Sequence, residues 1–340
     1  MKIFLAGDAV TGTGPANVTQ YYIENLLPGV LYQKCRNKVF RAVEIVWRTL
    51  QCDVAVYSGY SKQNILGMKI AKILGKPTAY LMHGCVEYEN EINSEADEEM
   101  CRVERLTMQL SDLILAVSPS FAKWITENYT EYADKVDYIT NAIDDSLLQR
   151  VNNNNACDNN GEHVNGRNVH NVMSIGGGMP RKKIKYICEA VRILREEADS
   201  ELTLTVVGAV GADSDIINSY DFVDNRGLVP FEECLELLRH TGLFVQNSCF
   251  ETFGLAPVEA IASGCPTLCS KEVGALCLID GITDMDIIYK YDDPQEIAQK
   301  IQYLLHNSNS ERLVKGIDWE SNTWKRRSET LVEKLSALLN

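Results

Sequence analysis

No run in the 340-residue chain approaches the roughly 18 consecutive apolar residues of a membrane-spanning helix, so no such span is predicted. Histidine is scarce: five residues, at 83, 163, 170, 240 and 306, with no H-E-x-x-H pair. A metal catalyst is therefore not expected. The eleven cysteines form no C-x-x-C pair, which argues against a disulfide framework or structural zinc and leaves most of them as small buried hydrophobes. No G-x-x-x-x-G-K-[ST] occurs, so a phosphate-loop nucleotide hydrolase has no support. Positive charge is also short, with 33 Lys and Arg against 47 Asp and Glu and a net charge of −14. That balance speaks against nucleic acid as a partner. The opening residues, MKIFLAGD, break at Gly7-Asp8 before any signal-peptide core can form, and a cytoplasmic location is expected.

What is present suits a folded enzyme. Hydrophobic residues at 45% and charged residues at 24% exclude a disordered or fibrous chain. Apolar, β-rich runs appear at KIFLA, DVAVYS, PTAYLM and DLILAVS, and again at NVMSIG, LTLTVVG, GLFVQNS and CPTLCS. Segments of helical spacing lie between them, such as SKQNILGMKIAKILG and KKIKYICEAVRILREEA. Non-alternating strands in a βαβα series predict an α/β fold with parallel sheets covered by helices on both faces. Residues 151–171, with nine asparagines in 21 positions, read as a linker or exposed insertion. The expectation is two Rossmann-like domains, 1–150 and 172–319, facing across a cleft that binds ligand. The segment 320–340 reads as a long amphipathic helix.

Charge is unevenly spread. Residues 1–86 hold ten Lys and Arg and four Asp and Glu, whereas 87–99 hold seven acids and no base. Within 31–50 five cations interleave with Phe40, Trp47 and aliphatics, which reads as a solvated amphipathic helix or as a surface for an anionic membrane or acceptor. The acidic stretch 87–99 reads as a solvated loop and helix start.

The strand-following GDAVTGTGPAN offers Gly12 and Gly14 for a dinucleotide loop, but Asn17 stands at the third glycine position. GGGMPR likewise fails at Arg181. The informative stretch is SCFETFGLAPVEAIASGCP, residues 248–266. GLFVQNS ends a strand, and APVEAIASG starts a short helix with Pro257 in its first turn and Gly264 at its end. Glu251 then lies in the loop and Glu259 inside the helix, eight positions on. Phe253, Gly254 and Leu255 sit where free backbone N–H groups attract a phosphate. Flanking carboxylates accept strong hydrogen bonds from sugar hydroxyls. The pattern suits a phosphorylated ligand with hydroxyls at both ends.

FETFGLAPVEAIASGCP resembles the E-x7-E signature of retaining GT-B glycosyltransferases, in particular glycosyltransferase family 4, the group 1 glycosyltransferases. DAVTGTGPANV, AYLMHG, AVSPSFAKWI, YITNAID, SIGGGMPRKKIKYICEAVRIL, LTVVG and NRGLVPFEECLELL follow the family order over nearly the whole chain. The resemblance implies a GT-B fold whose final helix packs back on an acceptor-side first domain. It implies a nucleotide-diphosphate-sugar donor, transferred with retention to a glycan or lipid-linked acceptor in envelope polysaccharide synthesis. No cofactor or metal is implied, and peripheral contact with the inner membrane face through 31–50 fits such an acceptor.

Residue by residue, the resemblance places Glu251 on hydroxyls of the donor sugar and Glu259 on the ribose. The backbone of Phe253, Gly254 and Leu255 would hold the diphosphate, and Lys182 would neutralise the leaving group. His83 would contact the sugar, Gly227 and Leu228 would border the base, and Gly12 to Gly14 would approach the diphosphate or acceptor. Gly177 stands where the family has arginine, and Arg181 is the candidate replacement. Ala142 stands where the family often has glycine, a departure that touches only local turn geometry. Two other readings stand beside this one. They are a nucleotide-sugar epimerase of related fold and a sugar-nucleotide-binding subunit without catalysis.

Overall fold

The computed structural model describes residues 1–25, 30–35, 37–158 and 167–339. Among these, the chain divides into two compact units, residues 1–142 with 321–340, and residues 143–320. In the first unit the strands are β1 (Ile3–Gly7), β2 (Leu31–Tyr32), β3 (Val54–Ser58), β4 (Thr78–Met82), β5 (Leu113–Ala116) and β6 (Val136–Tyr138). They form one parallel sheet in the order β2-β1-β3-β4-β5-β6. In the second unit β7 (Asn168–Ile175), β8 (Thr203–Val207), β9 (Val223–Gly227), β10 (Thr241–Gln246), β11 (Thr267–Ser270) and β12 (Ile287–Ile288) form a second parallel sheet. Its order is β12-β11-β10-β7-β8-β9.

The eight apolar runs seen in the sequence are the eight inner strands. Every residue of β1, β3 and β4 is buried, because helices cover both faces and each side chain meets a core whichever way it points. The four strands that the sequence pattern did not reveal, β2, β6, β9 and β12, are the four sheet edges. β2 and β12 have two residues and β6 three, while β9 is VDNRG with an exposed middle. Such edges carry too little apolar periodicity to be read locally.

The second core joins Val172, Leu204, Leu243 and Leu268 to Ile187 and Val191 of the helix Ile184–Glu197 and to Ile297 and Ile301 of the helix Pro294–His306. In the first unit, Ile3, Leu5 and Val56 pack with Leu331 and Leu335 of the final helix, Trp324–Ala337. Thr323 caps that helix, accepting from the Arg326 N–H at 3.5 Å. Trp324 stacks on Tyr21 at 5.0 Å and meets Tyr22 edge-on at 5.3 Å.

Three expectations about boundaries change. The first unit ends at residue 142 rather than 150, because the helix Asp145–Asp158 packs Leu147 and Val151 within the second unit. The expected linker 151–171 is helical through Asp158 and a strand from Asn168, while 159–166 lie outside the described residues. Asparagine is a weak helix former, by under ~1 kcal/mol per residue, and the anchored apolar turn overrides it. The stretch 31–50 is two elements, the edge strand β2 and a helix over Lys38–Gln51. The Asn37 side chain accepts from the Val39 N–H at 3.0 Å and so starts the helix there. The acidic stretch 87–99 spans the helix Val86–Asn93 and the start of the helix Glu98–Leu110. No helix among the described residues is long and apolar enough to cross a membrane.

Candidate functional site

β10 runs Thr-Gly-Leu-Phe-Val-Gln and delivers the chain to the loop carrying Glu251. That loop is pinned on three sides. Cys249 N–H donates to the Arg181 carbonyl at 2.9 Å, Ser270 Oγ donates to the Ser248 carbonyl at 2.6 Å, and Gly274 N–H donates to the Glu251 carbonyl at 3.0 Å. The helix Ala256–Ala262 follows, with Pro257 in its first turn and Gly264, at φ +70°, beyond its end. Glu251 is the loop's buried charge, 9% exposed.

Four donors converge on one oxygen of that carboxylate. Lys182 Nζ forms an ion pair with Oε2, Arg181 Nη1 lies 3.3 Å from it, and Ser248 Oγ and Gln246 Nε2 donate at 3.3 and 3.4 Å. Burial pushes the Glu251 acid up, but Lys182 and Arg181, with the hydrogen bonds of Lys182 and Ser248, outweigh it and hold the group below its ordinary range. The carboxylate is charged at neutral pH. Removing a partner from a buried pair of this kind costs about 3–5 kcal/mol, because the remaining charge is left uncompensated. Gly254 closes the arrangement. Its φ is +81°, and a Cβ there would sit 2.8 Å from Glu251 Cγ, so glycine is required for both conformation and space.

Phe253 is 2% exposed; its ring belongs to the core, and only its backbone is available to a ligand. Glu259 is half-buried. Burial, then the nearby Asp144 carboxylate, pushes it up to about 7. Gly227 ends β9 at φ +64°, and Leu228 beside it is largely exposed.

Arg181 and Lys182 lie in a single turn, Pro180–Lys182, reached from β7 through Gly176, Gly177 and Gly178. These three glycines pack directly against the backbone after β8. Gly177 has φ +55°, and a Cβ would collide with the Ala209 carbonyl oxygen and come within 2.6 Å of the Gly208 carbonyl carbon. Gly178 N–H donates to the Ala209 carbonyl at 3.0 Å, and Asp213 N–H to the Gly178 carbonyl at 2.9 Å. The missing arginine at 177 thus has a physical reason: this backbone admits no side chain there. The neighbouring Arg181 guanidinium instead stands at Glu251 beside Lys182.

The first unit holds the remaining candidates. His83 follows β4, and its Nε2 lies 2.8 Å from Ser58 Oγ at the end of β3. Ser58 Oγ in turn lies 2.7 Å from Thr19 Oγ1. Burial pulls the imidazole down to about 4, so the ring is neutral near pH 7. Gly12, at φ +72°, turns the chain into the helix Gly14–Glu24. Asp8 braces this turn, accepting from Val10 N–H at 3.0 Å and Thr11 Oγ1 at 2.6 Å.

The structure therefore brings Arg181, Lys182 and Glu251 together, sets Glu259 in the first turn of the helix that follows the Glu251 loop, and places His83 and Gly12 in the other unit. Sequence reasoning missed Gln246 and Ser248 as donors to Glu251, Ser58 and Thr19 behind His83, and Asp144 near Glu259. Gln246 carried a readable signal, since a fully buried glutamine at the end of an apolar strand requires polar partners.

Residues 170–307 match the family described as glycosyl transferases, group 1. A D-inositol 3-phosphate glycosyltransferase of Paenarthrobacter aurescens is 23% identical over 308 residues, covering 84% of this chain and 74% of that protein. An O-antigen chain mannosyltransferase B of Escherichia coli is 29% identical over 130 residues, 34% of each chain. Among solved structures, Anabaena HepE in complex with UDP and glucose superposes with a TM-score of 0.68 at 16% identity, covering 99% of this chain and 100% of that one. Sucrose-phosphate synthase from Thermosynechococcus elongatus also gives 0.68, at 14% identity, covering 99% of both chains.

Proposed function

We propose that this chain, whose residues 170–307 match the group 1 glycosyltransferases and whose fold is GT-B, transfers a sugar, with retention, from a nucleotide-diphosphate-sugar to a glycan or lipid-linked acceptor. The observation that carries this reading is the convergence of Lys182 and Arg181 on the buried Glu251 carboxylate, one loop before a helix bearing Glu259. Departure of a diphosphate concentrates negative charge on its oxygens, and preplaced cations in a partly dehydrated site stabilise that charge. Lys182 and Arg181 supply the cations, and the backbone N–H groups of Phe253 to Leu255 add dipoles.

Glu251 accepts hydrogen bonds from the sugar hydroxyls, and Glu259 accepts them from the ribose. Gly227 and Leu228 border the base. His83, neutral and hydrogen-bonded through Ser58, is a polar contact for the sugar rather than a cation. Gly12 and Gly14 leave their turn open to the diphosphate or acceptor. Retention follows from departure and attack on the same face, with a donor phosphate oxygen taking the acceptor's proton and no side-chain nucleophile.

HepE was solved with UDP and with UDP-glucose, which makes UDP-sugars the first donors to test. The likeness to an O-antigen mannosyltransferase supports a glycan acceptor in envelope polysaccharide synthesis, in the cytoplasm and at the membrane face that residues 31–50 would contact. The non-catalytic reading drew on the missing arginine, and Arg181 beside Lys182 weakens it. The epimerase reading has no observation in its favour.

Thermal-shift measurements with UDP, GDP, ADP and their sugars rank the bases; a ligand at ~100 times its Kd adds about 2.7 kcal/mol of stability. With the best donor, Lys182→Ala is expected to lower kcat by roughly 10²–10³-fold, and Arg181→Ala to lower turnover at saturating donor. A product with no new glycosidic bond, or with inverted configuration, would overturn the reading.

A further inference from the structure

The helix Lys38–Gln51 departs from the ordinary pattern of a surface helix. Ile45, Thr49 and Glu44 are buried, as expected for the side facing the sheet. The opposite pole should be polar. It carries Val39, Phe40, Val43, Trp47 and Leu50 instead, each between 50% and 75% exposed. At 100° per residue these five fall within about a third of a turn of one another. Ala42 and Val46 continue the apolar surface into a shallow groove whose far wall is Leu66 of the adjacent helix Lys62–Ile73. Five exposed apolar side chains on one helix pole form a contiguous patch, unlike the single exposed hydrophobes normal on a soluble surface.

The charge around this patch is mainly positive. Residues 31–76 hold nine Lys and Arg and only two Asp and Glu, whereas the rest of this acidic chain holds 24 bases and 45 acids. Lys34 is exposed just before the helix. Lys69, also exposed, lies three residues after Leu66 on the same helix face. The Arg48 guanidinium lies over the Trp47 ring, 4.8 Å from its centroid. Arg41 is half-buried: burial lowers its pKa, and Asp8 faces it. Arg36 is outside the described residues.

We propose that this face is an interfacial docking surface for an anionic lipid bilayer, with the helix Lys38–Gln51 lying in the membrane plane. Val39, Val43 and Leu50 enter the acyl boundary, Phe40 and Trp47 sit at headgroup level, and Lys34 and Lys69 meet the anionic headgroups. Apolar burial supplies affinity that salt does not screen, and the cations supply selectivity for anionic lipid. The surface deepens the reading of a lipid-linked acceptor and rests on it for its purpose, but its test requires no turnover.

The full chain is co-sedimented with phosphatidylcholine vesicles and with vesicles that also contain phosphatidylglycerol. Binding to the anionic vesicles is expected, with a blue shift of tryptophan emission. The double variant Phe40→Ser, Trp47→Ser should bind at least about tenfold more weakly and lose the shift, while its melting temperature and donor-induced thermal shift stay unchanged. Lys34→Glu with Lys69→Glu should weaken binding to anionic vesicles alone. Unchanged binding by the Phe40, Trp47 variant overturns the proposal. So does light scattering that shows a dimer which this variant converts to monomer, for the patch would then belong to a second copy of the chain. Loss of the donor-induced shift in unaltered protein would instead count against the donor reading and leave the vesicle result intact.

Discussion

Gly177 and Glu104 illustrate how single residues are constrained in opposite ways. Restoring the arginine by Gly177→Arg should not improve catalysis. With φ at +55° and the Ala209 and Gly208 backbone against it, the change should cost about 3 kcal/mol or more, read as a fall in urea midpoint or loss of soluble protein. Glu104 is a buried carboxyl, 2% exposed, that accepts from Tyr80 Oη at 3.0 Å and Val86 N–H at 2.8 Å. Burial pushes it from 4.5 to about 8. The folded chain therefore keeps this proton through a range where the unfolded chain has released it. Stability from this group is complete below pH ~4.5 and is lost as pH rises towards ~8. Glu104→Gln should remove that loss, so the variant gains stability relative to the parent as pH rises through this window. Equal pH dependence of the two denaturation midpoints would count against the assignment.

At the scale of an element, the loop and helix over residues 248–264 act as one unit. Pro257 and Gly264 define the helix locally, whereas the loop's position comes from hydrogen bonds to Arg181, Ser270 and Gly274. Gly254→Ala places a methyl at a φ that costs about 1–2 kcal/mol for an L-residue and presses it on Glu251 Cγ. Donor affinity should fall by roughly tenfold or more while the melting temperature drops only slightly. A stability loss with unchanged donor affinity would separate Gly254 from the site. The E-x7-E loop and helix were legible because Gly, Pro and the apolar run are local signals. The two cationic donors to Glu251 were not legible as its partners, because Lys182 and Arg181 lie 69 and 70 positions away and meet the carboxylate only when β7 and β10 pair.

At the scale of the molecule, the first unit is completed by the end of the chain. Trp324 is 3% exposed and packs on Tyr21 and Tyr22, while Lys334 pairs with Asp137. Trp324→Ala should cost about 3–5 kcal/mol, measured as the unfolding free energy of the unit containing β1 to β6. A change under ~1 kcal/mol would mean that the helix Trp324–Ala337 contributes little to that core. The eight inner strands, the covering helices and the placement of Glu251 and Glu259 around a helix start were determined by the sequence itself. Burial on two faces and turn chemistry leave marks within a few residues of where they act. Tertiary structure alone decided the sheet order, the four edge strands, the need for glycine at 177 and the meeting of Arg181, Lys182, Gln246 and Ser248 at one oxygen. It also decided that the outer pole of the helix Lys38–Gln51 stays apolar and uncovered by its own unit. Each depends on which distant segments come into contact, and composition and periodicity carry no record of that.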